Sequence, residues 1–172
     1  RGAALAGRAD RCEGHGPQGE IEIGGGRDHR RIVATQFQNA TFEMARAGQP
    51  DRPALDFYGH SITWAELDRL SDRCAALLVE LGVKVGDRVA VFMPNCPQLH
   101  IAFYGILKCG AVYAPLSPLS KPLELAYQLQ DSSAGVILCF DQLLPVVRAV
   151  QAQCTLRHIL ATSLSELRPS VP

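Results

Sequence analysis

The side chains best suited to covalent or metal chemistry in this sequence are six cysteines, at positions 12, 74, 96, 109, 139 and 154. No two have the C-x-x-C spacing of a zinc or redox site, and no two histidines have the spacing of metal ligands. Cys74, Cys109 and Cys139 fall among apolar residues. They read as reduced thiols buried in a core, and so much aliphatic sequence argues against a disulfide framework. His100 lies in an apolar run and reads as a hydrogen-bonded or partly exposed histidine rather than a ligand.

Phosphate chemistry would need backbone N–H groups presented by glycines at the start of a helix, with a cation nearby. "GHGPQG" (Gly14, Gly16, Gly19) has the G-x-G-x-x-G spacing of a dinucleotide site. That motif works only between a strand and a helix. Here the preceding "RADRCE" is charged, Pro17 removes an N–H from the loop, and no helical pattern follows. "GGGRD" at Gly24 to Asp28 likewise precedes no helix and reads as a flexible joint. The three lysines are Lys84 in a turn, Lys108 at the end of an apolar helix, and Lys121 in a loop without a glycine nest.

The elements that would position any such chemistry begin after about residue 31. Residues 1–31 are rich in Gly and Arg, lack aromatics and show alternation only in "EIEI". They are expected to form a disordered leader. Its Arg/Ala-rich start has the composition of a transit peptide, but Asp10 and Glu13 argue against one. Val33, Phe37, Ala40 and Met44 recur at helical spacing, closed by Gly48 and Pro50. "ALDFYGHSIT" predicts a small hairpin with a Gly59-His60 turn. Thr63 and Glu66 form a T-x-x-E capping box. The helix behind it carries Leu67, Leu70, Cys74, Leu77, Leu78 and Leu81 as one apolar stripe, with Asp68, Arg69, Asp72 and Arg73 opposite and Gly82 as its left-handed cap.

Beyond that point helices and strands alternate. "RVAVFM" and "GVILCF" are continuous apolar runs, as in parallel strands covered on both faces. Between them, "PNCP" opens a helix with Pro97 in its first turn, and Leu99 to Leu107 leave that helix almost no polar face. Gly110 stops it, "AVYAP" is a strand, and Pro122 starts a helix with Leu125 and Leu129 inward. Asp141 is a candidate cap for "QLLPVVRAVQAQ", and "RHILA" is a final short strand. The fold class is therefore α/β, an alternating helix-strand body with a parallel sheet, plus the hairpin and the leader.

Composition narrows the function classes. Hydrophobic residues make up 47% and charged residues 20%, a globular balance. Seventeen Lys+Arg against seventeen Asp+Glu give zero net charge, so nucleic acid or an anionic surface has no electrostatic case. No apolar run approaches the roughly 20 residues of a spanning helix. The chain starts at Arg1 and ends on "SVP"; both ends read as those of a piece of something longer.

Four segments carry a resemblance: "QPDRPALDF", "ITWAEL", "GDRVAVFMPNCPQLHIAFYGILKCGAVYAPLSP" and "LELAYQLQDSSAGVIL". In order and spacing they resemble the N-terminal part of the adenylate-forming acyl-activating enzymes, most closely acyl-CoA synthetases of the fatty-acid–CoA ligase type. The resemblance implies that residues 32–172 are a partial AMP-dependent synthetase/ligase N-terminal domain, the first subdomain, ending before the phosphate loop. It implies an ATP-dependent ligase that forms an acyl-adenylate from a carboxylic acid, here a fatty acid, and passes the acyl group to CoA. ATP, Mg²⁺ and CoA are implied for the full-length enzyme, with none expected to bind this fragment.

A cytoplasmic location is expected from the reduced, buried thiols, and peripheral membrane contact stays open. The family's Ser/Thr/Gly-rich loop ending in Pro-Lys-Gly, its adenine segment, its ribose-binding Asp and its C-terminal Lys match nothing in this sequence. No catalytic, cofactor-binding or metal residue is therefore carried over. Ser117-Pro118-Leu119 and Lys121-Pro122 depart from the family's usual Asn-Pro-Leu and Thr-Pro, and Lys121 is a poor helix cap. The alternatives are an amino-acid-activating domain of a peptide synthetase, or a non-catalytic truncated protein that binds partners. An unrelated doubly wound nucleotide-binding domain would need a glycine turn directly after a strand, and there is none.

Overall fold

The computed structural model describes Phe42 and residues 45–167. The expected leader over 1–31, the cysteine at position 12 and most of the helix placed over Val33 to Met44 lie outside the described residues. Residues 45–48 are helical and lead into a hairpin of β1 (Pro53–Phe57) and β2 (His60–Thr63). There follow α1 (Trp64–Glu80), β3 (Arg88–Phe92), α2 (Pro97–Lys108), β4 (Val112–Leu116), α3 (Pro122–Ser132), β5 (Val136–Phe140), α4 (Leu144–Val150) and β6 (His158–Thr162). The alternating α/β body with a parallel sheet is present as expected.

Among the described residues, β4, β3, β5 and β6 lie in that order in one sheet, every pair parallel. The two apolar runs are its centre: Val89 to Phe92 and all of β5 are buried. One face is covered by α1 and α2, where Leu78, Ala102 and Ile106 pack on Val89, Val91, Val136 and Leu138. The other is covered by α3 and α4, where Leu125, Leu129, Val147 and Val150 pack on Ala90, Phe92, Ile137 and Cys139. Alternate residues of one strand thus feed two cores, because successive side chains point to opposite faces. A third, smaller cluster joins Phe42, Ile62 and Leu67 under the hairpin.

Several local expectations are corrected. The hairpin turn is Tyr58–Gly59, not Gly59-His60: both residues take left-handed φ (51° and 78°), as a two-residue primed turn requires, and His60 already pairs with Phe57. On α1 the buried line is Leu67, Ser71 and Leu78, while Leu77 is 42% exposed. The stripe is rotated because Ser71, whose hydroxyl donates to the Asp68 carbonyl at 2.8 Å, takes a fully buried position. Only half of the capping box forms at α1, the Glu66 N–H donating to Thr63 Oγ1 at 3.2 Å. Asp141 caps no α-helix; it starts a 3₁₀ turn (Asp141–Leu143), its carboxylate accepts from the Gln142 N–H at 2.7 Å, and Pro145 sits in the first turn of α4.

Elsewhere the local reading holds. Pro97 occupies the first turn of α2, and Gly82 and Gly110 have φ of +78° and +74° where their helices stop. Lys121 has no acceptor to cap α3, but the Glu124 carboxylate accepts from the Lys121 N–H at 3.0 Å, so a reverse half-box makes up part of the deficit.

Candidate functional site

The sheet's topology singles out one edge. After β3 the chain crosses one face through α2; after β5 it continues over the other face through α4. Adjacent strands whose exits leave to opposite faces open a crevice at their carboxyl ends, where open α/β sheets bind ligands. Here that crevice lies beyond Phe92 and Phe140. It is bordered by the Met93–Cys96 turn, by Asp141 and by Ser163 after β6.

Gln98, in the first turn of α2, ties this edge together. It is 7% exposed, and its Nε2 donates to the Ser163 carbonyl at 2.7 Å. Its Oε1 is buried and has no partner among the described residues. Beside it a cavity of about 180 Å³ is lined by Cys74, Met93, Gln98, Leu138, Thr162 and Glu166. At its rim Thr162 Oγ1 donates to Glu166 Oε2 at 2.6 Å.

The thiols are poor nucleophiles. Burial, and then the neighbouring Cys109, pushes the Cys74 thiol up to about 11; burial, and then Asp141, does the same at Cys139. Cys96 and Cys109 are also raised, chiefly by burial. All five described cysteines are free; Cys96 and Cys139 are buried, while Cys74, Cys109 and Cys154 are only half-buried. His100 Nδ1 lies 3.2 Å from the Cys96 carbonyl, which is the hydrogen-bonded role expected for it. No cluster of three or more metal-type side chains occurs among the described residues.

Lys108 turns back along α1: Nζ lies 2.5 Å from Asp68 Oδ1, 2.7 Å from Asp72 Oδ1 and 3.1 Å from the Asp68 carbonyl. It also sits 5.3 Å from the centre of the Phe42 ring, which stacks on Tyr104 at 4.1 Å and meets Trp64 edge-on at 5.7 Å. Asp68 additionally meets Arg46 at 3.4 Å. Asp68 therefore turns toward α2 rather than open solvent, which corrects the sequence reading, while Asp72 reaches Lys108 from a position that stays mostly exposed. The missed signal was Lys108 itself: a cation ending an apolar helix needs carboxylates, and an i,i+4 acidic pair on the preceding helix supplies them.

The joint after α2 is shaped by two glycines. At Gly105 an added Cβ would lie 2.7 Å from Cys74 Cβ, so only glycine lets α1 and α2 approach this closely. Gly110 then turns the chain through positive φ, and Ala111 and Gly110 donate back to the carbonyls of Ile106 and Leu107 at 3.0 Å.

The profile of the AMP-binding enzyme family matches residues 42–170, which include the whole described sheet. The chain belongs to the AMP-binding enzyme family. This AMP-binding chain is 38% identical over 120 residues to a long-chain-fatty-acid–CoA ligase of Bacillus subtilis, covering 70% of its own length and 21% of the ligase. It superposes on a Mycobacterium tuberculosis fatty acyl CoA synthetase with a TM-score of 0.65 at 27% identity, over 84% of this chain and 30% of that one. On a benzoate CoA ligase from Burkholderia xenovorans the TM-score is 0.68 at 25% identity, over 73% and 26%. The chain thus spans about a fifth of the curated relatives it matches.

ATP is the ligand such a family implies. Met93–Cys96, Asp141 and Ser163 offer its phosphates no cation at the crevice, and Pro97 removes the first N–H of α2. These residues do not fit a triphosphate on their own.

Proposed function

We propose that this AMP-binding chain is the opening subdomain of an acid–thiol ligase that activates a fatty acid as its acyl-adenylate and delivers the acyl group to CoA. The observation that carries this is the 38% identity to the Bacillus subtilis long-chain ligase over 120 residues. The role of residues 32–172 is scaffolding: they set out the carboxyl edge on which a longer chain would complete a site. ATP, Mg²⁺ and CoA belong to that longer protein. The working environment is the cytoplasm, with fatty-acid metabolism as the setting and peripheral membrane contact as an option. No helix among the described residues is long and apolar enough to cross a membrane.

The 172-residue chain alone is expected not to form an acyl-adenylate. Stabilising charge at the α-phosphorus of ATP and on the departing pyrophosphate requires N–H donors and cations already aimed at it. Lys108 is held by Asp68 and Asp72, and the sequence has no Ser/Thr/Gly-rich run ending in Pro-Lys-Gly. The measurement is carboxylate-dependent exchange of labelled pyrophosphate into ATP, across fatty, aryl and amino acids. Exchange above a no-protein control, from a preparation free of host ligases, would overturn the scaffold reading. Exchange selective for an aryl or amino acid would also replace the fatty-acid assignment.

A further inference from the structure

The opposite, amino-terminal edge of the sheet carries a second concavity. It encloses about 280 Å³ between the starts of β3, β5 and β6, and Asp87, Arg88, Ser133, Gly135, Thr155 and Arg157 line it. It lies at the other end of the strands from the crevice described above.

Arg88 and Arg157 both line this space, and neither makes an ion pair among the described residues. Arg88 spends only Nε on the protein, donating to the Ser132 carbonyl at the carboxyl end of α3. That contact meets the partial negative charge of the helix end and leaves its two terminal nitrogens without a protein partner among the described residues. Arg157 makes no side-chain hydrogen bond or ion pair among the described residues. Its guanidinium lies over Gly135, where an added Cβ would come within 3.0 Å of Nη2 and 3.1 Å of Nε. The backbone is bare at the point where that side chain rests.

The one carboxylate in the wall is already engaged, Asp87 Oδ2 accepting from the Lys84 N–H at 3.0 Å. Thr155 Oγ1 donates to the Ala134 carbonyl at 3.2 Å, which keeps its lone pairs and not its proton available. The local balance is two cations against one anion, with the free donors concentrated on the two planar forks.

We propose that this amino-edge pocket binds a phosphate group between Arg88 and Arg157. Guanidinium forks match the oxygens of phosphate in pairs, and a small polar concavity fixes one such group rather than an extended polyanion. A phosphate-bearing metabolite bound there would act on the fold from the amino-terminal side of the sheet.

The test uses the whole 172-residue chain. Inorganic phosphate and, in a second arm, ribose 5-phosphate are titrated while the Gly135 and Arg157 amide resonances are followed, with chloride at matched ionic strength as control. A saturable shift is expected, weakened about tenfold or more by Arg157→Gln. Gly135→Ala, which keeps both charges but displaces the guanidinium, is expected to weaken it several-fold. Tighter binding of ribose 5-phosphate assigns the site to a sugar phosphate, and equal binding to free phosphate. No saturable shift, a shift that chloride reproduces, or wild-type affinity in either folded variant overturns the proposal.

Discussion

Leu77 and Leu78 are neighbours on one helix with opposite fates. Leu78 is fully buried between α1 and the sheet, and Leu77 is 42% exposed. Truncating Leu78 to alanine opens a cavity and is expected to cost about 2–5 kcal/mol, while Leu77→Ala should cost under about 1 kcal/mol. Denaturant midpoints at equal slope measure both, and equal losses would mean that the helix sits differently on the sheet.

The raised thiols make a pH statement at the same scale. Cys74 and Cys139 keep their protons to about 11 when folded, against 9.0 for a free thiol. Between those values the native state holds more protons than the unfolded chain, so stability falls as pH rises from about 9 towards 11. Below 9 this contribution is fully present. Replacing both residues by alanine should flatten the slope in that window, and an unchanged slope would refute the assignment.

At the scale of elements, α1 and α2 are joined by a charged bridge at one point and an intimate contact at another. Lys108 is 13% exposed and Asp68 21%, so the pair is only partly screened by water. Removing Lys108 alone leaves Asp68 short of a partner, and Lys108→Ala is expected to cost about 1–3 kcal/mol. Lys108→Met with Asp68→Leu should recover part of that loss. A double-mutant cycle measures the coupling, and zero coupling would make the bridge a surface accident.

The elements also show what could be read beforehand. The runs in β3 and β5 lack polar residues, and that pattern alone required cover on both faces. Gly82, Gly110 and Pro97 marked helix ends because their backbone chemistry is local. Ser71, Gln98 and the Lys108 bridge were not legible, since each depends on a partner distant in sequence or on the rotation of a helix by part of a turn. The crevice at the ends of β3 and β5 could not be located from the order of elements alone; it required the strand order 4-3-5-6.

The whole molecule has two cores on either side of one sheet, with a third under the hairpin. Helix α1 spans two of them, holding Leu67 in the hairpin cluster and Leu78 in the main one. The hairpin should therefore not melt alone. Trp64, the only tryptophan, packs beside the hairpin cluster. Its fluorescence is expected to change at the same denaturant midpoint as far-ultraviolet circular dichroism, which reports the whole body. An earlier fluorescence transition would show the hairpin to be an independent unit.

Strand β3 pairs with β4 on one side and β5 on the other, and both partners follow it in the chain. During synthesis it therefore leaves the ribosome before either neighbour exists. Parallel pairing offers it no hairpin as a temporary shelter. Until Val136–Phe140 has emerged, the segment Val89 to Met93 has high strand propensity, no charge and two unsatisfied edges, the profile of a self-associating peptide. Arg88 and Asp87 stand immediately before it and Pro94 immediately after, where charge and a missing N–H discourage stacking of nascent chains. The strand that organises the finished sheet is thus the one most dependent on protection while the chain is being made.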